Sequence, residues 1–92
     1  MNFPDKKLTK TMQVLLFVEE YEEIDLYDVV LLFDYEISAN YASQLLSRIR
    51  KKELLKKRSV KYQGYRKRGR IFKYSLSVKG ENRCEWLHSL GF

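Results

Sequence analysis

The hydrophobic positions of this chain change period partway along it. Over residues 9–21, Met12, Leu15 and Leu16 share a stripe that Glu19 extends, and Val14, Phe17, Val18 and Tyr21 lie beside it. That spacing predicts a helix with a wide apolar arc, covered on two sides. Asp25 stands where an N-cap is needed for a second helix over residues 26–33, in which Leu26, Val29, Val30 and Phe33 follow the i, i+3, i+4, i+7 rule. Asp34, Tyr35, Glu36 and Ile37 form a short polar connection. Ser38 then caps a third helix running to about Leu54, with Ala42, Leu45, Leu46 and Ile49 turned inward. Two short amphipathic helices joined by about four residues make a helix-turn-helix candidate.

From Leu55 the period becomes two. Val60 and Tyr62 alternate with Ser59 and Lys61, and later Phe72, Tyr74 and Leu76 alternate with Ile71, Lys73 and Ser75. Between them lies the run from Gly64 to Arg70, so the two strands read as a β-hairpin. Phe72, Tyr74 and Tyr62 are expected to pack the hairpin onto the helices. Ser77 caps a last helix over residues 78–90, and Gly91 stops it. The fold class is therefore mainly α with a β-hairpin (α+β), in the order helix, helix, helix, strand, wing, strand, helix. The whole chain, 1–92, reads as one winged helix-turn-helix domain, with residues 1–8 flexible.

Charge sharpens this picture. Residues 1–46 carry three basic and nine acidic side chains, a net of −6, whereas residues 47–92 carry 15 basic and three acidic, a net of +12. Thirteen Lys or Arg fall within residues 48–73, against the single acid Glu53. Like charges so crowded repel one another unless an anionic partner answers them, which points to nucleic acid. The acids Glu19, Glu20, Glu22 and Glu23 oppose the dipole at the end of the first helix, and only solubility or a partner accounts for them at this level.

The face of the third helix opposite its apolar stripe is centred on Asn40, Gln44, Ser47 and Lys51, flanked by Tyr41 and Arg48 on one side and Ser43 and Arg50 on the other. Asn and Gln pair with adenine edges and Arg or Lys with guanine. Asn40, Gln44, Arg48 and Ser47 are the candidate base contacts. Ser38, Tyr41, Ser43, Lys51 and Lys52 are the candidate backbone contacts. Tyr65, Arg66, Lys67, Arg68 and Arg70 form the candidate wing, set to follow the DNA backbone or enter a narrow minor groove. Lys56, Lys57 and Arg58 serve either phosphate contact or protection of a strand edge, with nothing to separate the two.

The remaining chemistry is sparse. The chain has one cysteine, Cys84, and one histidine, His88, so no disulfide within the chain, zinc site or histidine-dependent active site is expected. No phosphate-binding glycine loop is present, no enzyme activity is expected, and no cofactor or metal is implied. No apolar run is long enough to span a bilayer, and the first residues lack a signal-peptide core, so a cytoplasmic, nucleoid-associated protein with no membrane partner is expected. Leu16, Trp86, Leu87, Leu90 and Cys84 give the first and last helices more apolar surface than a small domain needs. They predict a homodimer interface, with Cys84 either a buried small hydrophobe or an intersubunit disulfide partner.

The stretch from Ile37 to Leu87 resembles winged helix-turn-helix regulators of the PadR-like and MarR-like groups. Ile37-Ser38 opens the third helix as in that family. Leu45, Ile49 and Leu54-Leu55 match the spacing leading into the first wing strand, and Tyr74-Ser75-Leu76-Ser77-Val78-Lys79-Gly80 is similar to the family's Y-x-L-T-x-K-G strand-to-helix junction. It looks like the small winged-helix proteins of archaea, their plasmids and their viruses. The resemblance implies sequence-specific binding of double-stranded DNA as a homodimer, in the role of a transcriptional regulator, most simply a repressor. Two other roles suit the same residues. One is plasmid or chromosome segregation, spreading from a centromere-like site and recruiting a protein partner through the acidic N-terminal half. The other is a protein–protein adaptor.

Overall fold

Helix α1 (Lys10–Tyr21) begins where the Thr9 hydroxyl accepts the Met12 N–H at 3.2 Å. It buries Val14, Leu15 and Val18, while Leu16 and Phe17 pack on the core margin. The computed structural model describes residues 8–62 and 69–92, with residues 62, 69 and 70 described by backbone only.

Helix α2 (Leu26–Leu32) starts with a reciprocal capping box. Asp25 Oδ1 accepts the Asp28 N–H at 2.9 Å, and Asp28 Oδ2 accepts the Asp25 N–H at 2.8 Å. It ends in a Schellman turn without glycine. Asp34 (φ 53°) donates its N–H to the Leu31 carbonyl, and Tyr35 (φ 63°) donates to that of Val30.

Helix α3 (Ala39–Lys51) is capped by Ser38, whose hydroxyl accepts the Tyr41 N–H at 3.0 Å. It buries the expected stripe of Ala42, Leu45, Leu46 and Ile49. It does not continue to Leu54. Glu53 takes the left-handed conformation (φ 63°), its N–H donates to Arg50, and the Leu54 N–H donates to Ile49. A second glycine-free Schellman turn therefore ends the helix and sends Leu54 into the core, where it is 1% exposed.

Strands β1 (Leu55–Tyr62) and β2 (Gly69–Leu76) pair antiparallel, with Leu55 opposite Leu76, Lys57 opposite Tyr74 and Ser59 opposite Phe72. On the far edge of β2, Ile24 exchanges both backbone hydrogen bonds with Tyr74, at 2.9 and 2.7 Å. The turn between α1 and α2 is thereby stitched to the hairpin. Leu55 and Tyr74 are buried near the hairpin's base, and Leu76 packs partly against the same core. The expectation that Phe72 also packs against the helices is corrected, since it is 42% exposed. Two residues farther out on the ribbon from Tyr74, its ring instead carries the Lys57 ammonium, 3.9 Å from the centroid. Tyr62, the third aromatic of that expectation, belongs to the backbone-only residues.

Helix α4 (Val78–Ser89) is capped by Ser77, whose hydroxyl accepts the Gly80 N–H at 3.0 Å and donates to the Glu53 carbonyl at 2.6 Å. A Cβ on Gly80 would stand 2.1 Å from the Leu54 carbonyl oxygen, so only glycine lets the first turn of α4 lie against the end of α3. Gly91 (φ 98°) closes α4 as expected, donating to His88, while Phe92 donates to Leu87. The order of three helices, hairpin and fourth helix is the winged-helix arrangement.

Candidate nucleic-acid interface

Burial of one stripe of α3 decides what the opposite face presents. Asn40, Tyr41, Ser43, Gln44, Ser47, Arg48, Arg50, Lys51 and Lys52 are all exposed. No acid occurs from Ser38 to Lys52, and among the described residues Arg48, Arg50, Lys51 and Lys52 make no ion pair. The cations of the last turn complement the helix dipole, an effect of about 0.3–1 kcal/mol each. The dipole does not call for the exposed amides Asn40 and Gln44 one to three turns earlier. Ser38 is exposed, and its hydroxyl oxygen is already used by the cap. Its O–H remains a donor toward a phosphate.

The hairpin separates its cations into two kinds. Arg58 Nε and Nη2 each lie 2.6 Å from the Glu23 carboxylate, a bidentate clamp between β1 and the α1–α2 turn. Its guanidinium holds the Glu23 carboxyl below the usual carboxylate range, and the carboxylate raises the pKa of Arg58 in turn. Lys73, on the neighbouring strand β2, reaches Oδ2 of the α2 cap Asp25 at 3.4 Å. Arg58 therefore belongs to the fold, and Lys57 is committed to Phe72. Lys56 and Lys61 are exposed and make no ion pair among the described residues. Tyr65, Arg66, Lys67 and Arg68 lie outside the described residues, and Arg70 stands on β2 with its backbone alone described.

Two of the acids that opposed the α1 dipole now have partners. Glu23 clamps Arg58, and Glu19 Oε1 lies 2.6 Å from His88 Nε2, which ties α1 to α4 and raises the pKa of His88. Sequence reading missed both pairs. Their only signal was an acidic run with no local explanation.

The residues expected at a homodimer interface separate in the same way. Trp86 is 49% exposed, and Leu16 and Leu90 are partly exposed. Leu87 and Cys84 are 0% exposed, which takes Leu87 off an outer surface, while Cys84 lies in the core as the buried small hydrophobe that was one of its two readings. Cys84 Sγ lies 3.5 Å from the Leu15 carbonyl oxygen, and burial pushes its thiol up to about 11, with Glu19 and Glu81 acting in the same sense. It is a neutral core side chain, and an intersubunit disulfide would require the core to open.

Among the described residues no group of His, Cys, Asp or Glu is arranged to hold a metal ion. No described helix is long and apolar enough to cross a membrane.

No protein-family model matches this chain, and no curated protein matches it in sequence. Its backbone is similar to that of a mutant MarR from Escherichia coli complexed with operator DNA, with a TM-score of 0.69 at 14% identity over 92% of this chain and 56% of that one. It is also similar to BpsR of Bordetella bronchiseptica, whose DNA binding is regulated by 6-hydroxynicotinic acid (TM-score 0.68, 21% identity, 96% of this chain, 62% of that one). A third is Stf76 from the Sulfolobus islandicus plasmid-virus pSSVx (TM-score 0.61, 14% identity, 88% of this chain, 95% of that one). The chain thus spans a little over half of the MarR and BpsR chains and nearly all of Stf76. At these identities the likeness is one of fold, and that fold is the winged helix of MarR-type DNA-binding proteins.

Proposed function

We propose that this chain binds double-stranded DNA in a sequence-specific manner as a homodimer, and that it regulates transcription, most simply by occupying a promoter as a repressor. The observation that carries the reading is the outer face of α3. It is exposed, free of acids and lined by amides, hydroxyls and cations that make no ion pair among the described residues. Asn40, Gln44, Ser47 and Arg48 are assigned to base edges in the major groove. Ser38, Tyr41, Ser43, Lys51 and Lys52 are assigned to phosphate and sugar. Tyr65, Arg66, Lys67, Arg68 and Arg70 are assigned to the flanking backbone or the minor groove. The same fold in a MarR bound to its operator supports this placement.

Homodimerisation is supported by the reach of a single recognition helix, which covers only a few base pairs, so that two half-sites are needed for a long operator. Of the five residues expected there, Trp86, Leu16 and Leu90 keep exposed apolar surface for that contact. A DNase I footprint over the DNA flanking the gene tests the reading. A short protected block with two-fold symmetry is expected. A block that lengthens as protein is added would favour a spreading, segregation-type protein. No protection even at low salt would remove DNA from the function and leave the adaptor role.

A further inference from the structure

A second feature lies on the acidic half. Between the C-terminal end of α1 and helix α2 is an open cleft of about 470 Å³, walled by Phe17, Tyr21, Ile24, Leu31 and Leu32. The Phe17 and Tyr21 rings stand 4.8 Å apart and tilted by 58° along one wall. Tyr21 and Leu31 are 59% and 54% exposed at the rim, and Tyr27, one turn before Leu31 on α2, is 57% exposed. Two large apolar side chains left half in water at the rim of the cleft, with a third one turn away on α2, mark a contact surface more than a tolerance of the fold.

The two carboxylates that line the cleft are already engaged. Glu23 is clamped by Arg58, and Asp28 accepts the Asp25 N–H. With both lining carboxylates tied into the fold, recognition falls to apolar contact and to the surrounding charge. That charge has one sign. Residues 19–36 contain eight acids, and no Lys or Arg occurs between residues 11 and 47. Glu20 and Glu22, beside Tyr21, are exposed and make no ion pair among the described residues. This field repels DNA and attracts cations.

We infer that the α1–α2 cleft docks a basic amphipathic segment of a partner protein, with apolar side chains seated against Phe17, Tyr21 and Leu31 and its Lys or Arg residues facing the acidic surround. The surface includes no residue of α3, so the inference stands whether or not α3 reads DNA. It provides a way for a protein partner to be held while α3 is occupied.

The test uses the full chain and two labelled probe peptides of the same helical pattern, one of leucine and lysine and one of leucine and glutamate, followed by fluorescence anisotropy near physiological salt. The lysine peptide is expected to bind and the glutamate peptide to bind at least about tenfold more weakly. Leu31→Ser and Tyr21→Ser, at positions more than half exposed and so compatible with folding, are each expected to weaken the lysine peptide about tenfold. The double variant Glu20→Gln, Glu22→Gln should flatten its salt dependence. Gln44→Ala should leave peptide binding unchanged. Failure of the lysine peptide to bind, equal binding of the two peptides, or indifference to Leu31→Ser and Tyr21→Ser would overturn the assignment. So would sedimentation showing that these two variants turn a dimer into monomers, because a second copy of the chain would then be the occupant.

Discussion

Helices α2 and α3 follow the same inward spacing and present opposite outward faces. In α2, Val29 is buried, with Leu26, Val30 and Phe33 packed partly against the core. In α3, Ala42, Leu45, Leu46 and Ile49 are all buried. Outward, α2 shows Tyr27 and Leu31 among acids, while α3 shows amides, hydroxyls and cations with no acid at all. The inner faces are nearly interchangeable in chemistry and account for the fold. The outer faces are not needed for the fold, and their difference carries the functional reading. The two proposals made above rest on this difference, an anionic duplex for α3 and a cationic polypeptide for α2.

The largest effect expected is on the inner faces. Leu46→Ala empties a fully buried position and should cost about 2–5 kcal/mol in a urea melt. Leu31→Ala, on the outer face of α2, should stay within about 0.5 kcal/mol. Equal costs would mean that the division into inner and outer faces is wrong. The outer face of α3 comes next. Gln44→Ala should lose about 1–3 kcal/mol of binding on the cognate DNA site, with little change on unrelated DNA and none in stability, read by competition titration. Lys51→Ala should weaken all sequences alike.

The comparison also shows which parts of the molecule are legible in a sequence. The stripes of α2 and α3, the caps Asp25, Ser38 and Ser77, and the stop at Gly91 all rest on residues within one or two turns of each other. Local rules suffice for them. The same is true of the outer face of α3, because knowing what is buried tells what is not. What escaped depends on distance in the chain. Glu23 and Arg58 lie 35 positions apart, and Glu19 and His88 lie 69 apart. The bridge from Ile24 to Tyr74 is also long-range. Nothing local distinguishes Arg58, held by an acid, from Lys56, which has no ion pair among the described residues. Phe72 was misplaced because its burial depends on how far the helices extend beneath the hairpin, which strand alternation does not encode. The end of α3 escaped for another reason. Its terminating residue is Glu53, an acid in a conformation that usually calls for glycine.

That residue supplies a smaller test. A side chain held at φ 63° costs about 1 kcal/mol or more, part of which glycine returns through its greater freedom when unfolded. Glu53→Gly should therefore stabilise the protein by about 0.5–1 kcal/mol, measured by thermal melting, and leave DNA affinity unchanged because Glu53 lies beyond the outer face of α3. Its exposed ion pair with Lys79, at 3.6 Å, is too weak to reverse the sign. A loss of stability would mean that the pair matters more than the strain.

The smallest effect is a pH dependence. The Glu19 carboxylate raises the pKa of His88 above its ordinary 6.5, so the folded chain holds this proton more tightly than the unfolded one. The contribution of the pair is complete below 6.5 and is lost as pH rises through the raised value. The melting temperature of the wild type minus that of His88→Gln should therefore fall between about pH 6 and pH 8, and only slightly, since both groups are exposed. A difference that grows with pH would contradict the pairing.

The DNA reading itself stands or falls on how binding responds to salt. Duplex containing the footprinted site would be titrated at several salt concentrations and log K plotted against log salt. If each protomer neutralises about five phosphates through α3 and the hairpin, the slope should be about −4 to −5 per protomer. Gln44→Ala should lower the line without changing its slope, and Lys51→Ala should reduce the steepness by about one. A slope near zero, or one that the α3 variants leave untouched, would mean that the acid-free face of α3 is not where this protein meets DNA.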